Sequence, residues 1–304
     1  MLLKKIYGFI FLFACLFCTG YCSAVFAQVA DTTEITTEAT TEIDDDFWLL
    51  DNYQPLENTL WLFTGKDEDE GDYYGLSTTL SLSSLLRVDL SATQQNYIFE
   101  TEDLLWGFSG NVAEQFSWGI HKLFWGDKNV LERNDLQYSL GYFIDGFSSQ
   151  LSYEHGDFKL FLKEPNNLPI NYVSFDHRAT QLNLGYSWGL FYTQLSYKKH
   201  DYTSNRPGLL FYLGSLNLLN NIGLDQARNL ADRESSILLG LQFETISYGF
   251  QLSQIDSAFS NSRYQYASLN LHKNFSSQWI LAGNVDFPLD NGLLSAGISL
   301  GYLW

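Results

Sequence analysis

From about Asn58 onward, apolar and polar residues alternate with period two, the spacing that sends successive side chains to opposite faces of a β-strand. The last segment carries the pattern most fully: Leu294, Ala296, Ile298, Leu300, Tyr302 and Trp304 are apolar, and the intervening Ser295, Gly297, Ser299 and Gly301 are small. The rule recurs in Leu136, Tyr138, Leu140, Tyr142 and Ile144; in Leu182, Leu184, Tyr186 and Trp188; in Phe191, Thr193, Leu195 and Tyr197; and in Ile237, Leu239, Leu241 and Phe243. Such segments predict about fourteen strands, near 58–65, 73–84, 86–98, 103–112, 115–126, 134–145, 148–162, 175–188, 190–200, 236–245, 247–259, 263–273, 277–287 and 292–304. Their connections alternate between long ones, such as Lys66–Asp72, Lys163–Ser174 and Asp201–Ser235, and tight ones near Leu85, Gly146, Gly189 and Ile246. Between Tyr153 and Lys163 the alternation changes phase around Gly156 and Asp157. This predicts a β-bulge or a strand rising above a membrane, with the bulge preferred; an extra hairpin would change the strand count.

An alternating last strand closed by an aromatic residue resembles the C-terminal assembly signal of Gram-negative outer-membrane barrels. Leu300, Tyr302 and Trp304 carry the likeness, with Trp304 where that family usually has Phe. The resemblance implies an all-β fold, a transmembrane antiparallel up-and-down β-barrel spanning 58–304, similar in size and layout to small monomeric porins. Twelve or sixteen strands would also fit. It implies outer-membrane lipid and the barrel assembly machinery as partners, with both termini periplasmic. No internal motif identifies a specific family. A soluble secreted sandwich also alternates, but it has no reason to place aromatics at the end of nearly every strand.

The first 57 residues do not alternate. Lys4 and Lys5, the apolar run from Ile6 to Cys18 and the small residues ending at Ala27 have the layout of a cleavable secretory signal over 1–27. Residues 28–57 form an acidic arm rich in Thr, Glu and Asp, whose composition predicts disorder or, alternatively, a segment lying inside the barrel. All three cysteines, Cys15, Cys18 and Cys22, fall within the signal. The mature chain therefore has no disulfide to rely on. Removing Lys4 and Lys5 leaves 15 basic against 35 acidic side chains, a net charge of −20. That balance excludes nucleic acid as a partner, because phosphate binding needs a basic surface. The aromatic fraction of 16% fits a chain that must supply rings to two membrane interfaces.

Catalytic patterns known on barrels are missing. No His stands two residues before a Ser, no Asp-x-His accompanies Asp67-Glu68-Asp69, and there is no G-x-S-x-G or H-E-x-x-H. Asp176 and His177 form the most enzyme-like pair, yet adjacent strand residues point to opposite faces, and the expectation for such a histidine is a hydrogen-bonded surface residue. The acidic run Asp67–Glu70 with Asp72 matches no Ca²⁺ loop spacing and reads as a solvated tip. Nothing points to a bound cofactor or metal.

Parity places Arg87, Asp89, Glu154, Lys198, His200, Glu244 and Asp286 in the lumen, as a selectivity ring or as salt-bridged filler. The connection 201–235 is unusually apolar, with Leu209, Leu210, Phe211, Tyr212, Leu213, Leu216, Leu218 and Leu219, and predicts a constriction or a ligand-capturing loop. Barrels of 16 to 18 strands hold an aqueous channel and those of eight are filled, so fourteen suits a modest pore. The functional expectation is an outer-membrane porin-like channel for passive diffusion of small solutes, preferring cations or neutral molecules. The alternatives are a transporter for an apolar substrate, a non-conducting surface barrel and, last, an enzyme.

Overall fold

The computed structural model describes residues 58–67, 71–96, 100–113, 115–127, 131–162, 171–203, 231–258, 262–290 and 293–304. They form fourteen strands: β1 (Thr59–Asp67), β2 (Asp72–Ser83), β3 (Leu86–Asn96), β4 (Glu100–Ala113), β5 (Phe116–Asp127), β6 (Leu131–Ile144), β7 (Phe147–Leu162), β8 (Asn171–Trp188), β9 (Phe191–Thr203), β10 (Ala231–Gln242), β11 (Ile246–Ser257), β12 (Arg263–Asn274), β13 (Trp279–Pro288) and β14 (Ser295–Leu303). Each pairs antiparallel with its sequence neighbours, and β1 pairs with β14 from Thr59↔Leu303 to Asp67↔Ser295, closing the barrel. Asn58 and Trp304 exchange both backbone hydrogen bonds, at 3.2 and 3.1 Å, which completes the seam. Closure leaves no unpaired edge, the one way a sheet can stand in lipid.

The alternation divides the wall into two surfaces. Leu62, Leu76, Leu90, Trp106, Leu140, Leu151, Leu182, Leu195, Leu239, Leu252, Leu271, Ile298 and Leu300 all point outward and are at least 40% exposed. With Ile120 on β5 and Trp279 on β13, 41% and 44% exposed, the apolar belt takes in every strand; a surface of that kind has no stable state in water and needs a lipid solvent. At the tight-turn end the belt finishes in rings. Phe116 packs on Tyr142 with centroids 4.9 Å apart, Tyr186, Trp188 and Phe191 stack in sequence, and Tyr302 stacks on Trp304, with Trp279 tilted against Tyr302 at 4.7 Å. Such rings suit the headgroup region, with apolar bodies and polar tips. The turns there are short because the residues permit it: Asp145 and Gly146 have φ of 47° and 76°, the paired positive values that a two-residue hairpin turn requires.

The predicted bulge in β7 is not there. β7 runs in unbroken register against β6 from Leu131↔Leu160 to Ile144↔Phe147, and against β8 along its full length. What changes is polarity. Up to Tyr153 the outward face carries Phe147, Leu151 and Tyr153, interrupted only by Ser149; above it His155, Asp157 and Lys159 face out while Phe158 faces in, 1% exposed. The phase change therefore marks a strand continuing beyond the lipid belt. Register does shift at Ser81/Ser83, Asn111/Ala113 and Ala231/Arg233, all at strand ends.

Glu244 also departs from its predicted place. β10 stops at Gln242, so Glu244 sits exposed in the turn before β11 rather than in the lumen. Its parity was counted along a strand that had already ended.

Candidate functional site

The inward surface encloses a polar cavity of about 780 Å³ lined by Thr93, Gln95, Asp103, Gln181, Asn183, Gln194, Ser196, Gln251, Ser253 and Asn284, with Arg133, Lys198 and Glu234 at its margin. These amides and hydroxyls bond to one another. Gln181 Nε2 donates to Asn183 Oδ1 at 3.0 Å, and Asn183 Nδ2 donates to Gln150 Oε1 at 2.9 Å. A lumen lined this way suits water and hydrophilic solutes, because amides and hydroxyls offer both donors and acceptors to whatever fills it.

One side of the cavity carries a charged network from five successive strands, β6 to β10. Glu154 on β7 is its centre: Lys198 Nζ lies 2.7 Å from Oε1, Gln137 Nε2 donates to the same oxygen at 3.0 Å, and Arg133 Nη2 lies 3.8 Å from Oε2. Arg133 Nε also lies 2.9 Å from Asp135 Oδ2. From Asp135 a second line runs inward. Its Oδ2 makes a bent 2.7 Å contact with His177 Nδ1, His177 Nε2 meets His200 Nδ1 at 3.0 Å, and His200 Nε2 meets Glu234 Oε1 at 2.9 Å. Asp135, Glu154, His177 and His200 are all at most 2% exposed. Tyr202 lies parallel to His200, 6.2 Å between centroids; Phe158 packs edge-on against Tyr202 and tilted against Phe175. Burial of Asp135 and Glu154 is tolerated because Arg133 and Lys198 stand against them with the opposite charge.

The predicted lumen residues thus fall into separate groups. Glu154, Lys198 and His200 come together in the network just described. Arg87 and Asp89 face inward on β3, where Arg87 Nη2 donates to Asn111 Oδ1 at 3.2 Å and Asp89 accepts from Ser109 Oγ at 2.6 Å and Thr79 Oγ1 at 3.0 Å, with His121 Nε2 at 3.0 Å. Asp286 on β13 accepts from Asn284 Nδ2 and Ser295 Oγ, both at 3.1 Å. No single ring unites them. Leu300, Tyr302 and Trp304 lie on or just past β14 and take its outward parity, with Leu300 and Trp304 40% and 48% exposed. The apolar segment Leu209–Leu219, the signal expected over 1–27, the acidic arm expected over 28–57, and Glu68–Glu70 lie outside the described residues.

Arg133, Asp135, His177 and Glu234 were not singled out as lumen residues by sequence. Arg133 and Glu234 fell in predicted loops, and His177 was expected at the surface; it is instead fully buried, with its neighbour Asp176 pointing out. Asp135 lies within the predicted strand 134–145 and shares the inward parity of Gln137; extending that parity two residues beyond Asp135 reaches Arg133. The outward residues Asn134 and Glu132 gave no apolar signal to justify it.

No protein-family profile and no curated protein matches the sequence. Among solved structures, the barrel is similar to a KdgM porin in complex with disordered oligogalacturonate (9% identity, TM-score 0.42, 80% of this chain and 98% of that one). It is similar to the NanC porin at the same identity, TM-score and coverage. A triple mutant of the Rhodopseudomonas blastica porin gives 9% identity and TM-score 0.36 over 82% of this chain and 99% of that one. Likeness at this level says nothing about cargo.

Proposed function

We propose that this chain is an outer-membrane channel through which small hydrophilic solutes diffuse, and that it is not an enzyme. The observation that carries the reading is the polar cavity inside a closed wall whose outer face is a lipid-facing apolar belt. The tight-turn end, with Asn58 and Trp304, is taken as periplasmic, and the alternating strand ending in Leu300, Tyr302 and Trp304 as the segment read by the barrel assembly machinery.

The same reading gives the pore a preference for cations and neutral solutes. The inward carboxylates Asp89, Asp103, Asp135, Glu154, Glu234 and Asp286 outnumber the inward cations Arg87, Arg133 and Lys198, and the whole chain carries −18. A lumen of that sign concentrates cations. Refolded protein in planar bilayers tests both parts. Discrete conductance steps with a reversal potential displaced toward the cation potential in a salt gradient are expected. A folded barrel that stays silent would overturn the channel, and an anion-directed reversal potential would overturn the preference.

A further inference from the structure

We propose that Glu154, His177 and His200 form a binding site for a divalent transition-metal ion of the Zn²⁺ type, set in the wall of the lumen between β7, β8 and β9. One ligand atom from each residue lies within 4.8 Å of the other two, and all three residues are buried. Imidazole nitrogen with a single carboxylate oxygen is a donor set that zinc accepts. His177 Nε2 and His200 Nδ1 are 3.0 Å apart. Two ligand nitrogens at about 2.0–2.1 Å from a tetrahedral ion stand roughly 3.3–3.4 Å apart, so the rings need to part by only about 0.4 Å. Glu154 Oε2 accepts no hydrogen bond and has Arg133 Nη2 no nearer than 3.8 Å, leaving a buried oxygen with lone pairs to offer.

The surroundings of the two rings fit the same role. His177 Nδ1 lies 2.7 Å from Asp135 Oδ2 without hydrogen-bond geometry, and His200 Nε2 meets Glu234 Oε1 at 2.9 Å, so each ring has a carboxylate beside the nitrogen that does not face the other ring. With an ion held by His177 Nε2 and His200 Nδ1, those remaining nitrogens face Asp135 and Glu234. Carboxylates behind metal-ligating histidines hold the ring's orientation and raise its basicity in the same way. Tyr202, 4.9 Å from His177 and parallel to His200 at 6.2 Å between centroids, limits how far the His177 ring can rotate. An ion reaches the site from the cavity, which Arg133, Lys198 and Glu234 border. The cation at Lys198 is the competitor, since its ammonium already neutralises Glu154.

The test uses the full chain without its signal, folded in detergent and stripped with chelator, with Co²⁺ as spectroscopic probe and Zn²⁺ as competitor. Expected are one Co²⁺ per chain at micromolar concentration, visible d–d absorption of a four-coordinate nitrogen–oxygen site, and displacement by Zn²⁺. His200→Ala and His177→Ala should abolish the spectrum, Glu154→Gln should weaken binding at least tenfold, and Lys198→Gln should tighten it severalfold. His272→Ala, elsewhere in the lumen, should change nothing. Heat-modifiable migration on gels reports that each variant is folded, and His200→Gln substitutes if His200→Ala is not. The proposal is overturned if folded protein binds no stoichiometric Co²⁺, which would leave a shared proton between the rings, or if binding survives loss of both histidines. Because binding is read without conductance, a barrel that fails as a channel leaves this test intact.

Discussion

Tyr192 on β9 allows a sharp test of how the lumen wall is packed. Its ring faces inward, 2% exposed, lies across Gly240 on β10 and reaches Gly249 on β11, and its hydroxyl donates to the carbonyl of Tyr248 at 3.2 Å. A Cβ at Gly240 would stand 1.9 Å from Tyr192 Cζ and 2.2 Å from its hydroxyl oxygen. Ordinary carbon contacts are about 3.5–4.0 Å, so Gly240→Ala forces the ring back by roughly 1.5–2 Å. Overpacking of that kind costs about 1–3 kcal/mol, and loss of the Tyr192 hydrogen bond adds about 0.5–1.5 kcal/mol. The reduced chain entropy of Ala in a strand returns about 0.5–1 kcal/mol. The expected net is about 2 kcal/mol of destabilisation.

Reversible urea unfolding of the refolded barrel in lipid vesicles, followed by tryptophan emission, should read this as a lower midpoint at unchanged slope. The same substitution at Gly283 is the control. There a new Cβ meets only the Gly297 carbonyl oxygen, at 3.6 Å, and the effect should be neutral or stabilising by up to about 1 kcal/mol. Removing the ring first, in Tyr192→Leu, should erase most of the Gly240→Ala penalty. Equal midpoints for Gly240→Ala and Gly283→Ala, or an undiminished penalty in the Tyr192→Leu background, would refute the close-packing argument.

Two further substitutions test the division of the wall and the charge of the lumen. Leu195→Arg puts a cation on the lipid side and should cost about 2–4 kcal/mol if the site is near the bilayer midplane, whereas Ser196→Arg, one residue on, should fold normally and lower conductance. Similar stability losses at both positions would contradict the assigned parity. Glu154→Gln strips the carboxylate from beside Lys198 and Arg133; stability should fall by up to about 3 kcal/mol and the reversal potential should move toward the anion potential, with an unmoved potential counting against Glu154 as a lumen charge.

The fold was legible in the sequence wherever the outer face touches lipid. There the outward residues must be apolar, as in Leu182 to Trp188 and Leu294 to Trp304, and the inward ones small or polar, so period two survives in the letters. All fourteen strands could be placed on that signal, most bounds falling within a few residues of those found. The outer ends of β6, β8 and β10 extend beyond the predicted bounds because Glu132, Ser174 and Arg233 face out among polar surroundings, and a strand wet on both faces does not alternate. The charged network was hidden for a second reason. Asp135, Glu154, His177, His200 and Glu234 meet through the registers of four strand pairs, and register is set by hairpin closure, which a one-dimensional reading cannot assign.

Beyond the lipid belt the wall inverts. On β7 and β8 the outward residues His155, Asp157, Asp176 and Arg178 are polar, and the inward Phe158 and Phe175 are 1% and 0% exposed. Lateral contact with lipid cannot stabilise this part of the barrel, so it must be held as a water-soluble sheet is, by apolar burial inside and by paired charges. Phe175→Ala tests that view. Truncating a buried Phe costs about 3–5 kcal/mol, and here the loss should be local. Amide exchange should rise at His155–Lys159 and Ser174–Arg178 while Leu182–Trp188, backed by lipid and the aromatic rings, stays protected. A uniform rise along β7 and β8 would mean that both ends unfold as one cooperative unit and that the inverted end has no core of its own.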